Sequence, residues 1–114
     1  RVVLGSDGIG AAMVDEFALA YVAQRAVDVT VTPDAAWSWL QAGADLVPEV
    51  IGDEVTWAAD RVDPWYLAFT PGVRAQRVVV DGDVVVDGGV CTRVDAARIR
   101  ARAWDEAQRL WSML

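Results

Sequence analysis

Histidine, lysine and asparagine are absent from this sequence, and cysteine occurs once in 114 residues, as Cys91. Without histidine, the chain supplies neither a histidine general base nor an imidazole ligand for a metal ion. A single cysteine excludes an internal disulfide, so we expect a reducing, cytoplasmic location. The sequence also has no apolar run of about 18 residues, the length that a transmembrane helix requires.

Acidic residues outnumber basic residues by 17 to 10, and every basic residue is arginine. The formal net charge of −7 disfavours binding to nucleic acid or to an anionic membrane, so we expect neither as a partner. Hydrophobic residues make up 54% of the chain, which excludes disorder and is high for one small solitary domain. We therefore expect part of the apolar surface to contact a second copy, another chain or a preceding segment of a longer polypeptide.

The stretch best suited to chemistry is residues 2–8, where the apolar run Val2-Val3-Leu4 ends in Gly5-Ser6-Asp7-Gly8. An apolar run without alternating polar residues predicts a strand buried on both faces, as in a parallel sheet. The carboxyl edge of such a sheet carries the active site in barrels and doubly wound folds, and Asp7 would project there. The alternative is structural, with Ser6 or Asp7 capping a helix that begins near residue 9 or 11.

Two helices are predicted in the first half of the chain. The first covers residues 11–24, because apolar residues recur there at helical spacing. Its apolar face consists of Val14, Phe17, Ala18 and Tyr21. The second runs from Thr32-Pro33-Asp34 to about residue 42, since threonine is a good N-cap and proline suits the first helical position. Residues 27–31 predict a strand or an extended connection, and residues 44–53 give no clear pattern.

The second half predicts strands and a closing helix. Residues 54–57 have a strand pattern, and residues 65–69 predict one helical turn on the surface of a barrel or sandwich. A hairpin is predicted over residues 77–86, because Asp81-Gly82 suits a tight turn with positive φ. Asp95 is the predicted N-cap of a final amphipathic helix that docks on a neighbour. The apolar stripe of that helix is Ile99, Ala103, Ala107, Leu110 and Leu114, widened by Trp104 and Trp111.

The order of these elements and four stretches of sequence resemble the C-terminal end of metal-dependent amidohydrolases. The similarity is to the cytosine deaminase and chlorohydrolase branch, in particular its aminohydrolases, and it is weak over residues 44–54. The stretches are Leu4-Gly5-Ser6-Asp7-Gly8-Ile9-Gly10, Asp63-Pro64-Trp65 with Thr70-Pro71-Gly72-Val73-Arg74, Val78-Val79-Val80-Asp81-Gly82-Asp83-Val84-Val85, and Thr92-Arg93-Val94-Asp95 with the helix ending Arg109-Leu110-Trp111.

This resemblance implies a mixed α/β fold, with residues 1–53 as the last strand and outer helices of an incomplete TIM-type barrel. Residues 54–91 would then be strands of a small β-sandwich, and residues 92–114 the C-terminal helix. Asp7 matches the family aspartate that touches the metal ion, zinc or iron, or its bound water and shuttles a proton. The substrate class implied is a heterocyclic or amidine-type amine, which is hydrolysed at a carbon–nitrogen bond.

The histidine ligands of that family have no counterpart here, and a zinc site usually needs at least three protein ligands. We therefore expect the isolated chain to bind no metal tightly and to be inactive, with Asp7 as its single contribution to catalysis and to metal binding. Two other functions stay open. One is a noncatalytic interaction or assembly domain, and the other is a phosphate- or nucleotide-binding module that uses Gly5, Gly8 and Gly10 before a helix.

Overall fold

The computed structural model describes residues 2–7 and 12–114, so the predicted roles of Gly8, Gly10 and a helix start at residue 9 or 11 lie outside the described residues. The described part is mixed α/β, with four α-helices and one four-stranded antiparallel sheet. The elements are α1 (Met13–Arg25), α2 (Pro33–Gln41), a 3-10 helix (Pro48–Gly52), β1 (Glu54–Trp57), α3 (Pro64–Phe69), β2 (Ala75–Val80), β3 (Asp83–Asp87), β4 (Val90–Cys91) and α4 (Ala96–Trp111).

Three of the four α-helices begin at polar side chains that cap them. The hydroxyl of Thr32 accepts from the backbone N–H of Ala35 at 3.4 Å, so the predicted cap of α2 is confirmed. Asp63 starts α3 by accepting from the Tyr66 N–H at 2.8 Å. Asp95 likewise accepts from the N–H of the third residue of α4 at 2.9 Å, as predicted. Each cap satisfies one of the N–H groups that a helix leaves without an internal partner.

The sheet has the strand order β1-β2-β3-β4, with each strand antiparallel to its neighbours. The predicted hairpin is confirmed, since β2 and β3 are joined at Val80 and Asp83 by a two-residue turn. Both turn residues have positive φ, 49° at Asp81 and 81° at Gly82. That combination is typical of a type I′ turn, whose twist matches the twist of the flanking strands.

The core lies among α1, α2 and α3, which we call the helical core. Its six buried hydrophobic residues are Val14, Phe17, Tyr21, Ala36, Leu67 and Val73. Phe17 is fully buried and contacts Trp37 of α2 edge-on, with ring centroids 5.2 Å apart. The helical turn predicted at residues 65–69 is present as α3, but among the described residues Leu67 packs it against α1 and α2 and not against a barrel or sandwich. The turn is part of the core because its leucine is only 1% exposed.

The strand predicted at Val2-Val3-Leu4 is not formed, since residues 2–6 carry no strand pairing in the described part of the chain. A strand needs a neighbour for its backbone N–H and C=O groups, and the described sheet is built from residues 54–91. Val2 and Val3 are exposed, whereas Leu4 packs against the helical core.

Residues 27–31 form a turn instead of the predicted strand or extended connection. Asp28 stabilises this turn, because its carboxylate accepts from the backbone N–H of Thr30 at 2.9 Å and from the hydroxyl of Thr30 at 2.7 Å. The Arg25 guanidinium closes the turn by donating to the Val31 carbonyl at 2.8 Å. Short polar side chains that bond to nearby backbone compete with strand pairing in this way.

Helix α4 differs from the other helices because none of its residues is buried. Its apolar stripe is present at the predicted spacing, and Ile99, Trp104 and Leu110 are each more than half exposed. The docking predicted for this helix therefore has no partner within the described residues.

Candidate functional site

Asp7 ends the extended residues 2–6 and is exposed to solvent. Its backbone has φ 48°, in the left-handed region that few residues other than glycine adopt. Within the described part of the chain its carboxylate has no hydrogen bond or ion pair. The carboxylate is therefore available to a group that this part of the chain does not contain.

Neither Ser6 nor Asp7 caps α1, and the predicted helix start at residue 9 or 11 lies outside the described residues. Helix α1 begins at Met13 with Ala12 as its N-cap, and no side chain caps it. Among the described residues 2–7, the positive φ falls at Asp7 and not at Gly5. Aspartate tolerates this conformation better than most residues because its side chain is short and polar.

The donor set of the described residues does not fit a metal site. No group of three or more histidine, cysteine, aspartate or glutamate side chains comes together in residues 2–7 and 12–114. The sequence has no histidine, so Asp7 would be one ligand without the two or more others that zinc usually takes. Its assignment as catalytic and as a metal ligand stays a prediction that follows from the resemblance.

A second feature is a cleft of about 530 Å³ between the start of α1 and the sheet. Its walls are mainly apolar, and its lining includes Met13, Val55, Trp57, Val73 and Val78. The polar members of the lining are Asp15 and Arg74, which form an ion pair at 3.2 Å. Both side chains are at least half exposed, so this pair adds little stability and the cleft offers packing surface rather than a reactive group.

The sequence interpretation missed this cleft. The structure joins Asp15 to Arg74, 59 positions away in the chain. No local pattern reports such a contact, because the spacing of the two residues in the chain is unrelated to helix or strand periodicity.

By its fold this chain is a mixed α/β protein with a three-helix core and an antiparallel sheet. Comparison with known proteins gives it no family, since no family model, curated protein or solved structure shows significant similarity to it. No helix in the described ranges is both long and apolar enough to cross a membrane.

Proposed function

We propose that this chain is the C-terminal portion of a metal-dependent hydrolase that acts on non-peptide carbon–nitrogen bonds. Residues 2–4 would be the last strand of its barrel, and Asp7 its contribution to the active site. The observation that supports this proposal is the unpaired apolar segment that leads to an exposed carboxylate, which neither caps α1 nor pairs with another side chain of the described residues.

The large exposed surface of the chain also supports the proposal, because further polypeptide would cover part of it. The chain exposes 8279 Å², whereas a compact monomer of 12.3 kDa exposes about 6,100 Å². Its radius of gyration is 16.9 Å, against about 13 Å for a compact domain of this length. The outer face of α1 adds to this surface through Leu19 and Val22, which are 63% and 59% exposed. A helix that is apolar on two faces is typical of one packed on both sides.

Asp7 would act as a proton carrier in this hydrolase. As a carboxylate it would accept a proton from the attacking water, and as a carboxylic acid it would return that proton to the leaving amine. The substrate would be a heterocyclic or amidine-type amine, and the enzyme would be cytoplasmic. Other polypeptide would supply most ligands of the metal, zinc or iron, and the 114-residue chain alone would be inactive.

The coding sequence before the codon of Arg1 gives the first test. The proposal expects barrel repeats and histidine ligands there, and a sequence without either would overturn it. The intact protein would then be assayed for ammonia release from a panel of heterocyclic and amidine amines.

Asp7→Asn should lower kcat by about 100-fold or more, since a positioned proton carrier contributes roughly 10²–10⁴-fold. Asp81→Asn is the matched control, because Asp81 is also an exposed aspartate with positive φ, 49°. Asparagine tolerates the left-handed conformation, so both variants should keep their turns. Equal activity of the two variants would exclude a catalytic role for Asp7.

A second candidate function, an interaction or assembly domain, is favoured by the exposure of α4. The 114-residue chain expressed alone separates the two functions. A soluble chain with a cooperative melting transition, whatever its oligomeric state, favours the interaction domain. Aggregation that is rescued by the preceding segment favours the enzyme portion.

A further inference from the structure

We propose that α4 pairs with α4 of a second copy of this chain, as two antiparallel helices related by a twofold axis near Trp104 and Asp105. The proposal uses only the surface of α4, so it is independent of the role of Asp7.

The stripe of α4 has the shape that a close helix pair requires. Ile99 and Leu110 lie toward its two ends and are 52% and 54% exposed. Between them lies a shallow hollow of about 260 Å³, which is lined by Ile99, Arg102, Ala103 and Glu106. Small residues at the centre of a helix face allow a second helix to approach closely, and larger residues at the ends then pack against it.

The two sides of the stripe carry different chemistry. At 3.6 residues per turn, Arg102 and Glu106 border the stripe on one side, while Arg100, Trp104 and Trp111 border it on the other. In an antiparallel pair related by a twofold axis, each side of a helix meets the same side of its partner. Arg102 of each copy then meets Glu106 of the other copy, which gives two equivalent ion pairs. A parallel pair would instead place these charges against the tryptophan side.

The same arrangement fixes the register. With the axis between residues 104 and 105, Ile99 of one copy lies opposite Leu110 of the other. Arg102 is then within reach of Glu106, and Arg100 can approach the ring of Trp111, a favourable cation–π geometry. The two tryptophans of each helix are already held against each other, with ring centroids 6.0 Å apart. Exposed aromatic residues of this kind dominate the binding energy of many interfaces.

The charges identify a second copy as the occupant. Arg100 and Arg102, which border the stripe in the first half of α4, form no ion pair with any described residue. Glu106, in the second half of the helix, pairs with Arg109 of its own helix at 2.7 Å, and its carboxylate can accept from a further arginine. Arg102 and Glu106 therefore complement each other when the helix meets its own inverted copy. Two helices of 16 residues, each about 24 Å long, cover close to the roughly 1,000 Å² at which specific interfaces begin.

Charge reversal tests the pairing in the full chain. By sedimentation equilibrium, we expect the wild-type mass to rise with concentration from 12.3 kDa toward twice that value. Arg102→Glu or Glu106→Arg should each weaken the dimer about tenfold or more, because each change enters the symmetric interface twice. The double variant Arg102→Glu/Glu106→Arg should restore dimerisation, since it only exchanges the positions of the positive and negative charge in each ion pair.

Two matched controls make the same charge reversals on the face of α4 that points away from the apolar stripe. Arg98→Glu and Asp105→Arg should leave the dimer within about threefold of wild type. A wild-type chain that stays monomeric up to about 1 mM, where even a weak complex forms, would overturn the proposal. Controls as disruptive as the test variants, or a double variant that is not restored, would overturn it too.

Crosslinking tests the orientation directly. Ile99→Cys and Leu110→Cys would be introduced into separate chains, each with Cys91→Ala, and equal amounts would be mixed under mild oxidation. The antiparallel pair predicts a disulfide between the two different chains, because residue 99 lies opposite residue 110. Disulfides formed mainly between identical Ile99→Cys chains would show a parallel pair and contradict the proposal.

Discussion

Tryptophan occurs in both the helical core and α4, but its surroundings differ. Trp37 contacts the fully buried Phe17 edge-on at 5.2 Å. Trp104 packs against Trp111 of its own helix and remains 60% exposed. Both regions contain an apolar face at helical spacing, yet the described chain covers only one of them. Amphipathic spacing thus predicts that a face will be covered, and it does not say which surface covers it.

The two regions should also differ in stability. An isolated helix of 16 residues is marginal in water, so we expect α4, which has no buried residue, to be less stable than the helical core. The helical core instead has six buried side chains from four segments of the chain, which hold one another in place. Because buried apolar area is the main stabilising contribution, the core should decide the free energy of unfolding of the monomer.

The largest expected effect comes from removing the same side chain in the two regions. Leu67→Ala should lower the free energy of unfolding by about 2–5 kcal/mol, because it empties a site that is 1% exposed. Leu110→Ala, at 54% exposure, should change the monomer's stability by no more than about 0.5 kcal/mol. Urea denaturation, at a protein concentration too low for dimers to form, measures the free energy of unfolding of both variants. Similar losses at the two sites would remove the distinction between the regions.

A smaller effect should follow from removing the aspartate caps. Asp63→Ala should reduce stability by about 1 kcal/mol, since α3 carries Leu67 into the core. Asp63→Asn is the control that keeps a capping oxygen and removes the charge paired with Arg61 at 3.0 Å. Asp95→Ala should lower the helical circular dichroism signal without moving the melting temperature. A shift in melting temperature as large as that of Asp63→Ala would show that α4 is part of the cooperative core.

The smallest effect concerns the turn at residues 27–31, which lies outside both the helical core and α4. The hydroxyl and then the backbone N–H of Thr30 lower the pKa of Asp28 below its ordinary value of 3.8, and Arg25 assists. The stability from this turn is present above that value and is lost as the pH falls through the lowered pKa of the folded protein. Thr30→Val should raise the pKa of Asp28, whereas Thr30→Ser should leave it low. Carbon NMR of the carboxyl group measures both, and equal pKa values would exclude the hydroxyl as the main cause.

Local chemistry made part of this fold predictable. The caps Thr32, Asp63 and Asp95 and the Asp81-Gly82 turn act over two to four residues, so their effect can be read from neighbours in the sequence. Strand pairing depends on distant partners, which is why residues 2–4 and 27–31 differ from their predicted strands. Prediction of the candidate site was limited for the same reason. One aspartate in the sequence does not identify the distant residues that complete an active site.

Hydrogen exchange of the backbone amides tests the difference between the two regions most directly. In dilute monomeric protein, we expect amides of α1 to be protected up to the global free energy of unfolding and amides of α4 to exchange far faster. Raising the concentration should then slow exchange in α4 and leave α1 unchanged, because only α4 gains a partner. Protection of α4 equal to that of α1 in the dilute monomer would contradict the expected difference in stability between the two regions.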